Sequence, residues 1–194
     1  LLFLTVFFRV VCFVFVDFQM KMTAGATYPN SAELAGFFGK FYMYLGLVTI
    51  VVQFLLIKVL LQKLGIITCL VFLPVVYIVM GGLFYNTGYY GSLAHFSLLI
   101  IAATNFLRLL FSESLDLPSR ELLLLPLPPF LRIRAQAVMA GFVEPFSQGL
   151  GGLLVIGLSA FGMRLFQYSG AIMICSIIWI ILLLFERPRY QQTL

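Results

Sequence analysis

The sequence predicts an all-α membrane protein, and three observations carry that prediction. Of 194 residues, 62% are hydrophobic and only 10% charged, with a mean hydropathy of +1.10, far above the range of water-soluble domains. The apolar residues come in unbroken runs of about 20, the length a helix needs to cross the hydrocarbon core. Those runs lack the period-two alternation of a membrane β-barrel. Such a composition leaves little for a soluble domain. It excludes disorder, a disulfide-stapled secreted fold and a nucleic-acid-binding domain, although the pI is near 9.3.

Short polar breaks divide the chain into one bundle of six predicted spans, at about 1–21, 31–61, 65–85, 91–111, 134–161 and 165–185. The first opens inside an apolar run with neither the basic leader nor the small-residue cleavage site of a signal peptide, so the chain is expected to be a fragment with a missing upstream part. The second starts at a marked cap: Asn30 precedes the helix and Glu33, three residues on, is placed to close a capping box. At 1.5 Å per residue that segment is about 45 Å long and must tilt or project from the hydrocarbon. Pro74 and Pro145 fall within the third and fifth spans, where each removes one backbone hydrogen bond and bends its helix. The fifth span also carries Ala137, Gly141, Ser147, Gly149, Gly151 and Gly152. Its small-xxx-small pairs, Ala137 with Gly141 and Ser147 with Gly151, suit close helix packing in lipid or a surface on which a helix rocks.

Orientation follows from the basic residues, which are enriched in cytoplasmic loops. Lys58, Lys63, Arg120, Arg132, Arg134, Arg187 and Arg189 fall on one side of the six spans; Lys21 and Arg164 fall on the other. This asymmetry accounts for the basic pI and places both ends of the chain in the cytoplasm. The longest polar connection is expected at Ser112 to Ile133. It holds Glu113, Asp116, Arg120, Glu121 and Arg132 among Pro118, Pro126, Pro128 and Pro129, with Arg134 just beyond. Asp116, Arg120, Arg132 and Arg134 are the residues of a candidate cytoplasmic gate, or of a brace along the membrane surface.

Charges within spans are costly, by a few kcal/mol each on insertion scales, so each is a functional candidate. Asp17 and Lys21 stand four apart with the acid first, the favourable order for a helical pair. They line a polar cavity or close a helix end. Lys40 lies about three turns into its helix with no acid at i±3 or i±4. It offers a point charge to an anion or snorkels to the headgroups. Glu144 precedes Pro145 in a span free of other charge beyond Arg134 at its start and is a coupling group or a hydrogen-bonded carboxyl. Arg9 is expected to pair with Glu144 or another acid across the bundle, and Arg108 to snorkel to the cytoplasmic surface.

His95 is the only histidine, and the motifs of zinc hydrolases, P-loop pumps and serine hydrolases are missing. The sequence therefore points away from an enzyme, with no catalytic residue, metal or cofactor expected. Cys12, Cys69 and Cys175 lie in apolar segments without CxxC spacing and are read as packed thiols.

Two stretches carry a family resemblance. Asp17 to Lys21, then Tyr28-Pro29-Asn30, Glu33, Phe37-Phe38-Gly39 and Gly46, resemble the start of the second half of the ATP/ADP translocase family, a branch of the major facilitator superfamily. Pro118 to Leu122, Pro126 to Pro128, Arg132 to Ala137 and the glycines through Gly152 are similar to the loop and eleventh helix of that family. The resemblance implies the C-terminal six-helix half of a twelve-helix carrier that works by alternating access, paired with an N-terminal half expected in the same chain. It implies that Asp17 and Lys21 belong to the transport machinery.

Two departures bear on the cargo. The connection that is lysine-rich in nucleotide carriers here reads Arg132, Arg134 and Gln136, and Gln148 stands where another lysine is expected. Fewer cations weaken the hold on a polyphosphate. The expected substrate is thus a small, nucleotide-like or other organic anion, with Asp17, Lys21, Lys40, Glu144 and Gln148 as substrate-binding or gating residues. The expected location is a multi-pass position among the lipids of a bacterial inner membrane. The alternative is a non-transporting membrane module or assembly subunit that retains the carrier fold.

Overall fold

The computed structural model describes residues 2–55, 66–89, 96–124 and 128–191. Lys58, Lys63, His95 and Pro126 lie outside the described residues, as do the expected span limits at 61, 65 and 91. Everything described is helical or a short turn. The order is α1 (Leu2–Thr27), α2 (Ser31–Leu55), α3 (Ile66–Tyr89), α4 (Ser97–Phe111), a π-helical turn (Ser112–Asp116), α5 (Leu117–Leu123), α6 (Pro129–Val138), a second π-helical turn (Met139–Val143), α7 (Glu144–Ala160), a 3-10 turn (Leu165–Gln167) and α8 (Tyr168–Gln191). Merged across the π turns, these give six helices long and apolar enough to cross a membrane, as in a multi-pass membrane protein.

The distribution of side chains agrees with a lipid surround. Phe54, Leu99, Phe142, Leu153, Ile156 and Phe185 are among many large apolar residues on the outside, whereas Gln19, Thr23, Thr104, Asn105, Ser147, Ser169 and Ser176 are buried. Burying apolar area gives no driving force between helices in hydrocarbon, so dispersion contacts and interhelical hydrogen bonds hold the bundle. Three of the buried hydroxyls bond within their own helix: Thr23 donates to the Gln19 carbonyl at 2.7 Å, Thr104 to Ile100 at 2.7 Å and Ser147 to Val143 at 2.5 Å.

α1 is the hub and packs on α4, α7 and α8, while α3 packs on α4 and α8. The core between them holds Cys12, Phe15, Met20, Tyr77, Ile172 and Trp179. Gln19 ties α1 to the start of the sixth span: its Nε2 donates to the Leu165 carbonyl and the Ser169 hydroxyl, both at 2.9 Å. α2 stands at the edge, leaning mainly on α4, and among its described side chains only Leu45 is buried. Phe37 and Phe41 of α2 and Phe106 of α4 border an apolar groove of about 660 Å³ between those helices. Asn30 caps α2, accepting from the Ala32 amide at 3.0 Å; Glu33 makes no return bond among the described residues.

One expectation needs correction, and one is extended. Ser112 to Ile133 is not a long polar connection: the fourth span continues to Leu122 and the fifth begins at Pro129. At Pro145, where a lost bond and a bend are expected, the helix also carries a π turn that ends just before the proline, as it does before Pro118. Each π turn closes one residue before a proline. Leu117 donates to the Ser112 carbonyl ahead of Pro118, and Glu144 to the Met139 carbonyl ahead of Pro145. A proline has no N–H and its ring crowds the carbonyl four residues back. Widening the preceding turn to an i−5 bond relieves that crowding and keeps the helix running.

Of the small residues in the fifth span, Ser147 is buried and Gly151 faces α1, where a Cβ would lie 3.2 Å from the Val14 side chain. Gly141, Gly149 and Gly152 have open space beside them. Ala137 precedes the second π turn and Gly141 lies within it, and both are exposed. The fifth span stops at Gly162, which has φ +74°. Its amide bonds Ser159 and that of Met163 reaches back to Leu158, the left-handed helix end that glycine permits.

Candidate functional site

Four charges meet inside the bundle. Arg9 comes from α1, Asp116 ends the first π turn, Arg120 lies in α5 and Glu144 opens α7. Arg9 Nη2 lies 2.5 Å from Glu144 Oε1 and Arg9 Nη1 lies 3.6 Å from Asp116 Oδ2. Arg120 mirrors it, with Nε 3.1 Å from Asp116 Oδ2 and Nη1 3.4 Å from Glu144 Oε1. Each guanidinium thus faces both carboxylates, and the quartet closes on itself with its charges cancelled. Asp116 is 1% exposed and Glu144 31%, so the cluster grades from sealed to partly open.

The local sequence explains how the acids arrive there. A π turn adds a residue to the turn and so rotates the downstream side chains relative to an unbroken α-helix. Asp116 is the last residue of one such turn and Glu144 the first after the other. Val6, Val10, Leu124 and Met139 form a small apolar cluster joining α1 to the fifth span beside the quartet. The alignment is incomplete. Arg120 Nε is within ion-pair range of Asp116, yet neither it, Arg9 Nε nor either Asp116 oxygen has a well-directed hydrogen bond; the Ser114 and Ser119 hydroxyls are buried without a partner as well.

A second group of charges lies farther along α1. Lys21 Nζ is 2.7 Å from Asp17 Oδ2, the expected i,i+4 pair, with side chains 63% and 23% exposed. Arg108 corrects the expectation of a snorkelling residue. It is 2% exposed, 3.9 Å above the Phe13 ring, and donates from Nε and Nη2 to Asn105 Oδ1 at 2.8 and 2.5 Å. Asn105 turns its amide nitrogen to the Met20 sulfur. The side chain of Arg108 is held inward because Phe13 and Asn105 sit on the core face of α1 and α4, where it finds partners that a lipid-facing rotamer lacks.

The other candidates are dispersed. Lys40 borders an open pocket of about 510 Å³ with Tyr28, Glu33, Phe37, Phe41 and Tyr44, near the turn between α1 and α2. Gln148 is exposed one turn beyond Glu144. Arg132 borders a groove of about 470 Å³ with Pro118, Glu121 and Gln136, and Arg134 lies 4.2 Å over the Phe130 ring. The structure therefore joins Asp116 and Arg120 with Glu144 and Arg9, and leaves Arg132 and Arg134 apart from them. No cluster of three or more His, Cys, Asp or Glu that could hold a metal occurs among the described residues.

The sequence named Arg9 only as a partner for an acid, sent Arg108 to the membrane surface, and missed Asn105. A polar residue and an arginine three apart in the apolar α4 were the available signal. Comparison with family models, with curated proteins and with solved structures finds no match to this chain.

Proposed function

We propose that this chain is the C-terminal half of a secondary transporter that moves an organic anion by alternating access. In this reading Arg9, Asp116, Arg120 and Glu144 form a gate between α1 and the fourth and fifth spans. The quartet carries the proposal. A buried ion pair contributes little net stability, and well-packed apolar residues of similar volume often do as well or better. A static anchor has no need of four such charges. A contact that must open to water and close again does, because separated ions are rehydrated at little cost when the cavity floods.

Asp17 and Lys21 then lie on the substrate path, with Lys40 at its outer end. The resemblance to the ATP/ADP translocases, on the residues quoted above, supports the same reading and an N-terminal six-helix partner in the same chain. The biased basic residues support a bacterial inner-membrane position with both ends cytoplasmic.

The competing reading is a non-transporting module that retains the fold. It is favoured by the mutual pairing of the quartet. Counterflow uptake of radiolabelled nucleotides and small organic anions into proteoliposomes holding the full-length protein separates the two. The proposal expects saturable uptake of at least one anion, reduced by about tenfold or more in Glu144→Gln, since a gate charge worth about 1.4 kcal/mol is a factor of ten. Absence of uptake across the panel in a folded, inserted protein favours the module.

A further inference from the structure

The interior charges are unevenly balanced. The quartet cancels, but the group around α1 has two cations, Lys21 and Arg108, and one carboxylate, Asp17. Asp17 is engaged by Lys21 at 2.7 Å. Arg108 has no carboxylate within ion-pair range among the described residues, and its Nη1 is buried without a hydrogen-bond partner. A guanidinium in that position is costly unless an anion reaches it.

The three groups are also in line. Phe13, Asp17 and Lys21 recur at intervals of four on one face of α1, and Arg108 sits over Phe13. Asp17 is one turn from that ring. Exposure falls along the line from Lys21 to Asp17 to Arg108.

We infer that Arg108 and Lys21 are the two cationic ends of one site for a small oxyanion, a phosphate or carboxylate group, and that Asp17 is the built-in anion that competes with it. The inference rests on the transport reading for the role of Lys21 and adds Arg108 as the second cationic group and Asp17 as the competitor. An oxyanion arriving at exposed Lys21 takes over its ammonium. Asp17, released, is one helical turn from the guanidinium that lacks a counter-charge. Binding at the exposed end is thereby coupled to a new charge pair between α1 and α4. The planar fork of an arginine, already fixed on two sides by Asn105, leaves its Nη1 edge for a single carboxylate or phosphate oxygen.

The sign of one substitution tests this. The purified full-length protein is titrated with inorganic phosphate, and separately with acetate, at constant ionic strength set by sodium chloride, and the shift in thermal midpoint is read as apparent affinity. Removing the competitor by Asp17→Asn should tighten oxyanion binding by about tenfold, and Arg108→Gln should weaken it by about tenfold or more, each the effect of one charge at partial burial. A merely structural Arg108 would lower the midpoint without changing the affinity.

Unchanged or weaker binding in Asp17→Asn overturns the inference, as does an equal response to chloride alone or to neither oxyanion. If Arg108→Gln fails to fold, Asp17→Asn still decides. Tight oxyanion binding without uptake would sink the transport reading and leave this site; uptake with unaltered affinities in both variants would sink this site and leave transport.

Discussion

Arg9 and Glu144 are separated by 135 residues in the chain, yet the Nη2 of one lies 2.5 Å from the Oε1 of the other. Glu144→Gln leaves two arginines sharing Asp116 alone. The expected loss of stability is about 1–3 kcal/mol, below the full cost of breaking a buried pair because Glu144 is partly exposed. The reversed pair Arg9→Glu with Glu144→Arg should recover part of it. Thermal unfolding of the two single variants and the double variant in detergent measures the coupling; independent, additive effects would show that the contact carries no energy.

Gly151 and Gly152 are neighbours with opposite expected behaviour. A methyl at Gly151 meets Val14 at 3.2 Å, whereas one at Gly152 meets nothing within 4 Å. Gly151→Ala should cost about 1 kcal/mol or more as α1 and α7 are pushed apart, and Val14→Ala in the same protein should return most of it. Gly152→Ala should be neutral or slightly stabilising. The midpoints of the four proteins decide the matter, and equal shifts for the two alanines would contradict the packing described.

Gln19 holds two partners with one amide nitrogen. Gln19→Leu keeps the volume and leaves the Ser169 hydroxyl and the Leu165 carbonyl without that donor, which should destabilise by about 1–3 kcal/mol. The start of the sixth span should loosen first. Faster amide exchange at 165–169, with α3 unaffected, is the expected pattern, and uniform loosening would argue against a local tie.

Arg134 and Arg164 report orientation. Both are exposed, on opposite sides of the fifth span. In a protein whose own cysteines are replaced, Arg134→Cys should react with a membrane-impermeant maleimide from the cytoplasmic side only and Arg164→Cys from the other side only. Labelling from the reverse sides would invert the topology inferred from the basic residues.

Much of the helical layout was legible because apolar run length is a direct physical requirement of the bilayer. The Asp17–Lys21 and Asp116–Arg120 pairs were legible for a similar reason, since four residues make one helical turn. The fourth span reads too short in sequence because the charges of Ser112 to Arg120 suggest water, whereas the helix carries them inward to meet Arg9 and Glu144. Contacts between α1 and residues more than a hundred positions away arise from helix packing, which no local pattern encodes. Arg108 is misplaced by sequence reasoning because snorkelling depends on which way a side chain faces, and the apolar residues all round α4 do not show which side is the core.

The two proline-linked π turns also affect how this chain is to be compared with any other. Each accommodates one residue more than an α-helix of the same length, so counting by 3.6 loses a step at 112–116 and again at 139–143. A relative without Pro118 or Pro145 would align to this sequence only through a one-residue gap inside a transmembrane helix, where gaps are ordinarily forbidden. Aligned without that gap, Asp116 and Glu144 would each be matched to a residue facing the wrong way, and the acids that close the quartet would look unrelated to their true counterparts.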